Sequence, residues 1–199
     1  MNEKQVRAFI LFSDISGYGA FWRRISHLET ELYPFQRQWR ELVKDFREKT
    51  GYFVKRMGDG VLAIKEIRRE ENVSSEGVNF LNNSWVFTKD VYQLVENKSS
   101  PRPDGFRTRI SLGYIVREPD DQLGWDYVGD KINLTEKMIH FYRSETMVCH
   151  ESVKELFSEK QLSQNHFSFK KLIARERRSA DIYSQDMKSL WTFKKNGKL

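Results

Sequence analysis

Two aspartates stand where a carboxylate can do chemistry. Asp14 follows the continuous apolar run Ala8-Phe9-Ile10-Leu11-Phe12, and Asp59 lies in Gly58-Asp59-Gly60 between two short strand-like runs. An unbroken apolar run reads as a central strand buried on both faces, which delivers Asp14 at its C-terminal end. Gly-Asp-Gly reads as a hairpin tip, because glycine takes the positive φ that tight turns require. If that hairpin pairs beside the first strand, the two carboxylates converge on one edge of the sheet. Paired carboxylates at a strand end and an adjacent turn suit Mg²⁺ or Mn²⁺ in phosphoryl or nucleotidyl transfer, since hard cations take oxygen ligands and substrate phosphates supply the rest. Each aspartate also has an ordinary use: Asp-Gly is a common hairpin dipeptide, and Asp14-Ile15-Ser16-Gly17 can cap a following helix. Gly17-Tyr18-Gly19 opens that helix, whose first backbone N–H groups and dipole offer a phosphate cradle.

The elements that must position these groups are legible as hydrophobic periodicity. Residues 20–27 carry apolar side chains at helical spacing, and Pro34 opens a second helix with Phe35, Trp39, Leu42, Val43 and Phe46 on one face and Gly51 past its end. These two helices are expected to cover one face of a sheet. Residues 52–57 and 61–64 are the strands of the hairpin, residues 68–75 an exposed loop, and residues 78–95 a further helix. Pro101 and Pro103 break the pattern before a strand over 107–116, and residues 117–123 read as an acidic surface turn. A helix over 130–141 turns Ile132, Met138 and Ile139 inward; a strand at 147–149, a helical turn over 152–157 and a basic, partly strand-like tail follow. With no internal repeat or linker, residues 1–199 are expected to form one α+β domain, helices packed on a sheet that contains an antiparallel hairpin.

Composition narrows the class of protein. The 199 residues are 39% apolar and 14% aromatic, enough for one sizeable core, and 34 basic against 28 acidic residues leave a net charge of +6. A basic surface favours anionic partners such as nucleotides without choosing among them. The single cysteine, Cys149, forbids an intramolecular disulfide and fits a reducing cytoplasm. No stretch approaches the roughly 20 apolar residues of a membrane helix, so no membrane is expected. Charge is spread along the chain without a recognised nucleic-acid motif, which argues against a nucleic-acid binder.

Four blocks, in order, carry a family resemblance. Phe12-Ser13-Asp14-Ile15-Ser16-Gly17-Tyr18 resembles F-x-D-I-x-G-F, and Lys55-Arg56-Met57-Gly58-Asp59-Gly60 resembles a K/E-x-x-G-D hairpin. Arg107-Thr108-Arg109-Ile110-Ser111-Leu112-Gly113 resembles R-x-G-I-x-x-G, and residues 126–133 resemble D-x-x-G-x-x-V-N. The chain thus resembles the class III nucleotidyl cyclases over about residues 6–142. The resemblance implies their ferredoxin-like, palm-type fold and a reaction in which the ribose 3′-hydroxyl of a nucleoside triphosphate attacks its own α-phosphate and expels pyrophosphate.

It implies site residues as well. Asp14 and Asp59 would hold two divalent ions with help from the Ile15 carbonyl, and Gly17, Tyr18 and Gly19 would meet the phosphates. A homodimer would share its sites: Asn133 of the second subunit would orient the ribose, and Lys137, one helical turn on, would stabilise charge on the α-phosphate. Lysine stands there where the family usually has arginine, as Gly19 stands for threonine and Arg109 for glycine. Arg177 is the candidate for gripping the triphosphate. Lys55 and Asp126 would read the base, and lysine with aspartate recognises a ring nitrogen beside an exocyclic amine, an edge that adenine and cytosine share. Tyr52, Phe53 and Trp125 flank these readers and would narrow the pocket toward a pyrimidine. A small catalytic domain with these aromatics is most similar to the stand-alone Pycsar pyrimidine cyclases of bacterial antiphage defence, whose cCMP or cUMP acts on a separately encoded effector. An adenylate cyclase and a catalytically silent nucleotide-binding homologue are the alternatives.

Overall fold

The structure, a computed structural model, describes residues 4–25, 29–96, 105–141, 147–172 and 190–195. In chain order the elements are β1 (Lys4–Ser16), α1 (Tyr18–Ile25), α2 (Glu29–Thr50), β2 (Phe53–Met57), β3 (Gly60–Ile67), α3 (Val73–Glu96), β4 (Gly105–Asp120), β5 (Gly124–Val128) and α4 (Asp130–Phe141). There follow β6 (Met147–His150), α5 (Glu151–Lys154), α6 (Glu159–Gln164), β7 (Phe167–Lys171) and β8 (Leu190–Lys195). One mixed sheet runs β2-β3-β1-β4-β6-β8-β7, with β5 paired to the outer part of β4. Among the described residues only β4 and β6 pair in parallel.

β1 is central, and its alternation divides the core in two. Phe9, Leu11 and Ile15 face an aromatic layer from α1, α2 and α3 that includes Phe21, Phe35, Trp39, Phe46, Phe80 and Phe87. Ring pairs lock this layer: Phe46 stacks on Phe87 at 4.4 Å and Phe9 on Phe80 at 5.1 Å. Ala8, Ile10 and Phe12 point to the other face and meet Leu62, Ile64, Ile115 and Ile139 of α4. The expected α+β class is therefore observed, with helices on both faces of the sheet. Cys149 is fully buried in β6, between β4 and β8.

Several boundaries differ from the sequence expectation for identifiable reasons. α2 begins at Glu29, so Pro34 lies inside it; a proline in the second turn removes one backbone hydrogen bond, which the buried stripe Phe35, Trp39, Val43 and Phe46 offsets. α3 starts at Val73 inside the expected loop, because the Asn72 side chain accepts from the Ser75 N–H at 3.1 Å and caps the helix. Residues 117–123 are mostly not a turn: β4 continues to Asp120, and the reversal is confined to the next three residues. The Asp120 carboxylate accepts from the N–H groups of Gln122 (2.9 Å) and Leu123 (2.6 Å), and Gly124 takes φ 76°. α6 is an added element, set by a capping box between Ser158 and Gln161.

Candidate active site

The hairpin pairs beside β1 in the register that sets its turn next to Asp14. Asp14 lies opposite Gly60, the residue after Asp59. The two glycines of the turn do different work. Gly58 takes φ +67°, and a Cβ on Gly60 would meet the Ser13 carbonyl oxygen at 3.0 Å, so β1 can approach only because that position is bare. Both aspartates are half-buried at this edge. Ile15, next along β1, buries its side chain in the aromatic layer.

A third group, Arg107, joins them without having been assigned a role from sequence. It lies opposite Asp14 across β4, donates from Nη2 to Asp14 Oδ2 at 2.7 Å, and from Nη1 to the Ile139 carbonyl of α4 at 3.3 Å. Its guanidinium offsets charge where two carboxylates would otherwise repel, and it ties the edge to the end of α4. Arg109 is fully buried two residues on; it donates to the carbonyls of Met138 (3.2 Å) and Thr108 (2.9 Å). Both arginines thus hold the C-terminal turn of α4, where carbonyls lack helical partners.

Immediately beyond Asp14 the chain turns at Gly17, φ 74°, into α1, whose first backbone bond runs from Phe21 N–H to the Gly17 carbonyl at 2.9 Å. Gly19 is exposed in the first turn, while Tyr18 packs its ring on Phe21 and Phe35. The α1 N-terminus therefore sits one residue from the end of β1, beside the Asp14 edge.

Lys55 of β2 and Asp126 of β5 form an ion pair, as the β4–β5 hairpin arches over the sheet. Asp126 is steadied by the backbone N–H of Tyr127, 2.8 Å from its Oδ1. Tyr127 sets its ring edge-on to Phe53 at 4.8 Å and donates its hydroxyl to Glu66 Oε1 at 2.7 Å. Burial first, and then that carboxylate, push the Tyr127 phenol well above its usual range. Arg117 completes the support, 3.2 Å from Glu66 Oε1 and 4.5 Å above the Trp125 ring.

Tyr52 does not belong to this group, contrary to the sequence expectation. Residues alternate along β2, so Lys55 and Phe53 face the arching hairpin, whereas Tyr52, just before the strand, turns with Val54 into the aromatic layer. Its ring stacks on Phe80 at 5.4 Å and meets Phe46 edge-on at 6.0 Å, and its hydroxyl accepts from Asn83 Nδ2 at 3.0 Å. Tyr52 is 8% exposed, and no base can stack on it.

On α4, Leu134, Thr135, Met138 and Ile139 are buried, whereas Asn133 is exposed and Lys137, one turn on, is half-buried. Asn133 thus looks away from the sheet of its own chain. Arg177 lies outside the described residues. Among the described residues no group of three or more His, Cys, Asp or Glu gathers as a metal centre, and no helix is long and apolar enough to cross a membrane. The Asp14 and Asp59 carboxylates with a neighbouring main-chain carbonyl are all hard oxygen donors, so the edge fits Mg²⁺ or Mn²⁺ when phosphates complete the shell.

No protein-family model matches this chain, and no curated protein matches it. Solved structures do. The adenylyl cyclase CyaB from P. aeruginosa superposes with a TM-score of 0.72 at 15% identity, over 100% of this chain and 98% of that one. The monomeric guanylyl cyclase domain of the RhoGC fusion protein from the aquatic fungus Blastocladiella emersonii gives 0.62 at 15% identity, over 96% and 98%. A bacterial light-regulated adenylyl cyclase gives 0.63 at 17% identity over 85% of this chain, which spans only 49% of that protein's length. The chain therefore has the fold of adenylyl and guanylyl cyclase catalytic domains.

Proposed function

We propose that this chain cyclises a nucleoside triphosphate to its 3′,5′-cyclic monophosphate, joining the ribose 3′-oxygen to the α-phosphorus and releasing pyrophosphate. The observation that carries the reading is the register that sets Asp59 beside Asp14 at one edge of a cyclase-type fold. Asp14, Asp59 and the Ile15 carbonyl would hold two Mg²⁺ or Mn²⁺ ions, which supply charge neutralisation for the attacking oxygen and the leaving polyphosphate. Arg107 adds fixed positive charge at the same edge, and the first turn of α1 receives phosphate oxygens on its backbone N–H groups.

The rest of the site comes from a second copy. Asn133 faces away from its own sheet, so a two-fold dimer in which α4 of one subunit meets the carboxylate edge of the other forms two composite sites. Asn133 then orients the ribose, and Lys137 neutralises charge growing on the α-phosphate; as a point charge it lacks the fork of an arginine.

Lys55 and Asp126 are the base readers. The lysine donates to an unprotonated ring nitrogen, and the aspartate accepts from the adjacent exocyclic amine. In the free protein each satisfies the other, so a base with the opposite edge must break that pair and leave both groups unmatched. The edge selects cytosine or adenine over uracil and guanine. The buried Tyr52 ring cannot stack on a base, so the choice falls to the two readers. We place CTP first, because Phe53 shares the side of β2 that carries Lys55 and its ring is met edge-on by Tyr127, aromatic bulk that suits the smaller base; ATP is the second reading. The cyclic nucleotide would act as a second messenger on a separate effector, as in antiphage defence. Incubation with each of the four ribonucleoside triphosphates and Mn²⁺, with products resolved by chromatography, tests the proposal. One dominant cyclic product, cCMP, is expected; no cyclic product from any substrate overturns the activity, and cAMP as the main product overturns the pyrimidine choice.

A further inference from the structure

A basic region lies on the opposite face of the sheet from the base readers. A cleft of about 610 Å³ runs between α2 and β2, lined by Arg40, Val43, Lys44, Arg47, Val54 and Arg56 and by one carboxylate, Glu48, which Lys44 pairs. Strand alternation separates it from the candidate active site: Val54 packs toward the aromatic layer, Arg56 follows two residues on, and Lys55 between them points to Asp126 on the far side. β2 is the outermost strand at this end of the sheet, so the cleft opens to solvent.

Its charge pattern departs from that of the rest of α2. Along the helix, cations are matched four residues away: Arg37 with Glu41 at 3.7 Å, Lys44 with Glu48 at 3.8 Å, and Lys49 with Asp45 at 3.9 Å. Arg40 and Arg47 have no such partner, and Arg56 has none across the cleft; among the described residues these three make no ion pair. Other arginines, Arg7 and Arg69 among them, also stand outside the ion pairs; Arg40, Arg47 and Arg56 differ in lining one cleft together. Arg40, Lys44 and Arg47 recur at the spacing of a single helix face, and Arg40 and Arg47 stand about 10 Å apart along the axis. That span exceeds one phosphate and fits a chain of two or three. Guanidinium forks match phosphate oxygens, and Val43 and Val54 give an apolar floor of the kind that carries a sugar or base.

We infer that the α2–β2 cleft binds a small anion bearing two or more linked phosphates, of nucleotide size, independently of the cyclase reaction. Titration calorimetry of the full chain with inorganic tripolyphosphate, at low ionic strength and in EDTA, tests this, since chelation silences the metal-dependent edge. Saturable binding is expected that survives Asp14→Asn with Asp59→Asn, and that weakens about tenfold or more in Arg40→Gln/Arg47→Gln/Arg56→Gln. Circular dichroism and the melting temperature confirm that the triple variant folds, and Arg56→Gln alone, expected to weaken binding in the same direction, serves if it does not. The inference is overturned by absence of saturable binding, by binding unchanged in the arginine variants, or by equal affinity for orthophosphate. Tighter binding of an extended Asp/Glu-rich peptide also overturns it, and makes the cleft a strand-docking edge instead.

Discussion

Replacing Tyr52 with phenylalanine and with alanine separates a packing role from a base-reading role. In the structure the side chain is 8% exposed, its ring lies between Phe46 and Phe80, and its hydroxyl accepts from Asn83 at 3.0 Å. Tyr52→Phe keeps the ring and deletes that bond, which costs about 1 kcal/mol. Tyr52→Ala also empties an aromatic-sized space, for a cost of about 3–5 kcal/mol. In a chain of this size each kcal/mol moves the melting temperature by about 2–4 °C, so falls of roughly 2–4 °C and 6–20 °C are expected. The alkaline limb gives a second reading. Burial raises the Tyr52 phenol above its usual 10.0, the asparagine bond only partly opposing. The folded state thus favours the neutral phenol, and this share of stability is present below that value and lost as pH rises past it. Tyr52→Phe has no such share to lose, so the gap in melting temperature from wild type narrows above pH 10. Melts by circular dichroism, paired with an equimolar four-nucleotide competition below both transitions, check the reasoning: stability falls as stated while the ratio of cyclic products stays that of wild type. A phenylalanine variant with unchanged melting temperature and an altered product ratio would refute it.

Asp14→Asn and Asp59→Asn should each lower cyclisation by several orders of magnitude while the fold survives, read as turnover together with circular dichroism; near-wild-type turnover in a folded variant removes the metal assignment. Mixing inactive Asp59→Asn with inactive Asn133→Ala should restore activity through one intact composite site per heterodimer, and heterodimers confirmed by native mass spectrometry without recovered turnover would exclude shared sites. Asp126→Asn replaces the acceptor with a group that can also donate, so preference for amine-bearing bases should fall about tenfold or more in competition assays, whereas an unchanged product ratio would show that this residue does not read the base.

What was legible in the sequence follows from how local each signal is. The β1 run and the Gly58-Asp59-Gly60 turn are written in contiguous residues, and they placed Asp14 and Asp59 on one edge before any register was known. α4 was equally plain, from Asp130 to Phe141, because its apolar positions repeat with helical period. Arg107 was not legible as a partner of Asp14: only the antiparallel register of β1 and β4 sets them opposite one another. β5 escaped notice because Gly124–Val128 is only five residues long and half-exposed, with only two aromatics, Trp125 and Tyr127, alternating along it. Tyr52 carries a plainer lesson. It stands three residues before Lys55, an odd spacing that puts two side chains on opposite faces of extended chain, so both could never have met one base.

The buried thiol of Cys149 makes the chain its own clock. Burial pushes its acidity far from the ordinary thiol range, the Arg109 charge only partly opposing, and thiolate is the form that alkylates. With a single cysteine in the sequence, modification in native buffer has to wait for β6 to part from β4 or β8, so the labelling rate counts openings of the sheet interior rather than surface reactivity. A second cysteine placed at exposed Val86 of α3 would then react alone, and a spectroscopic label can be attached there without first removing the native thiol.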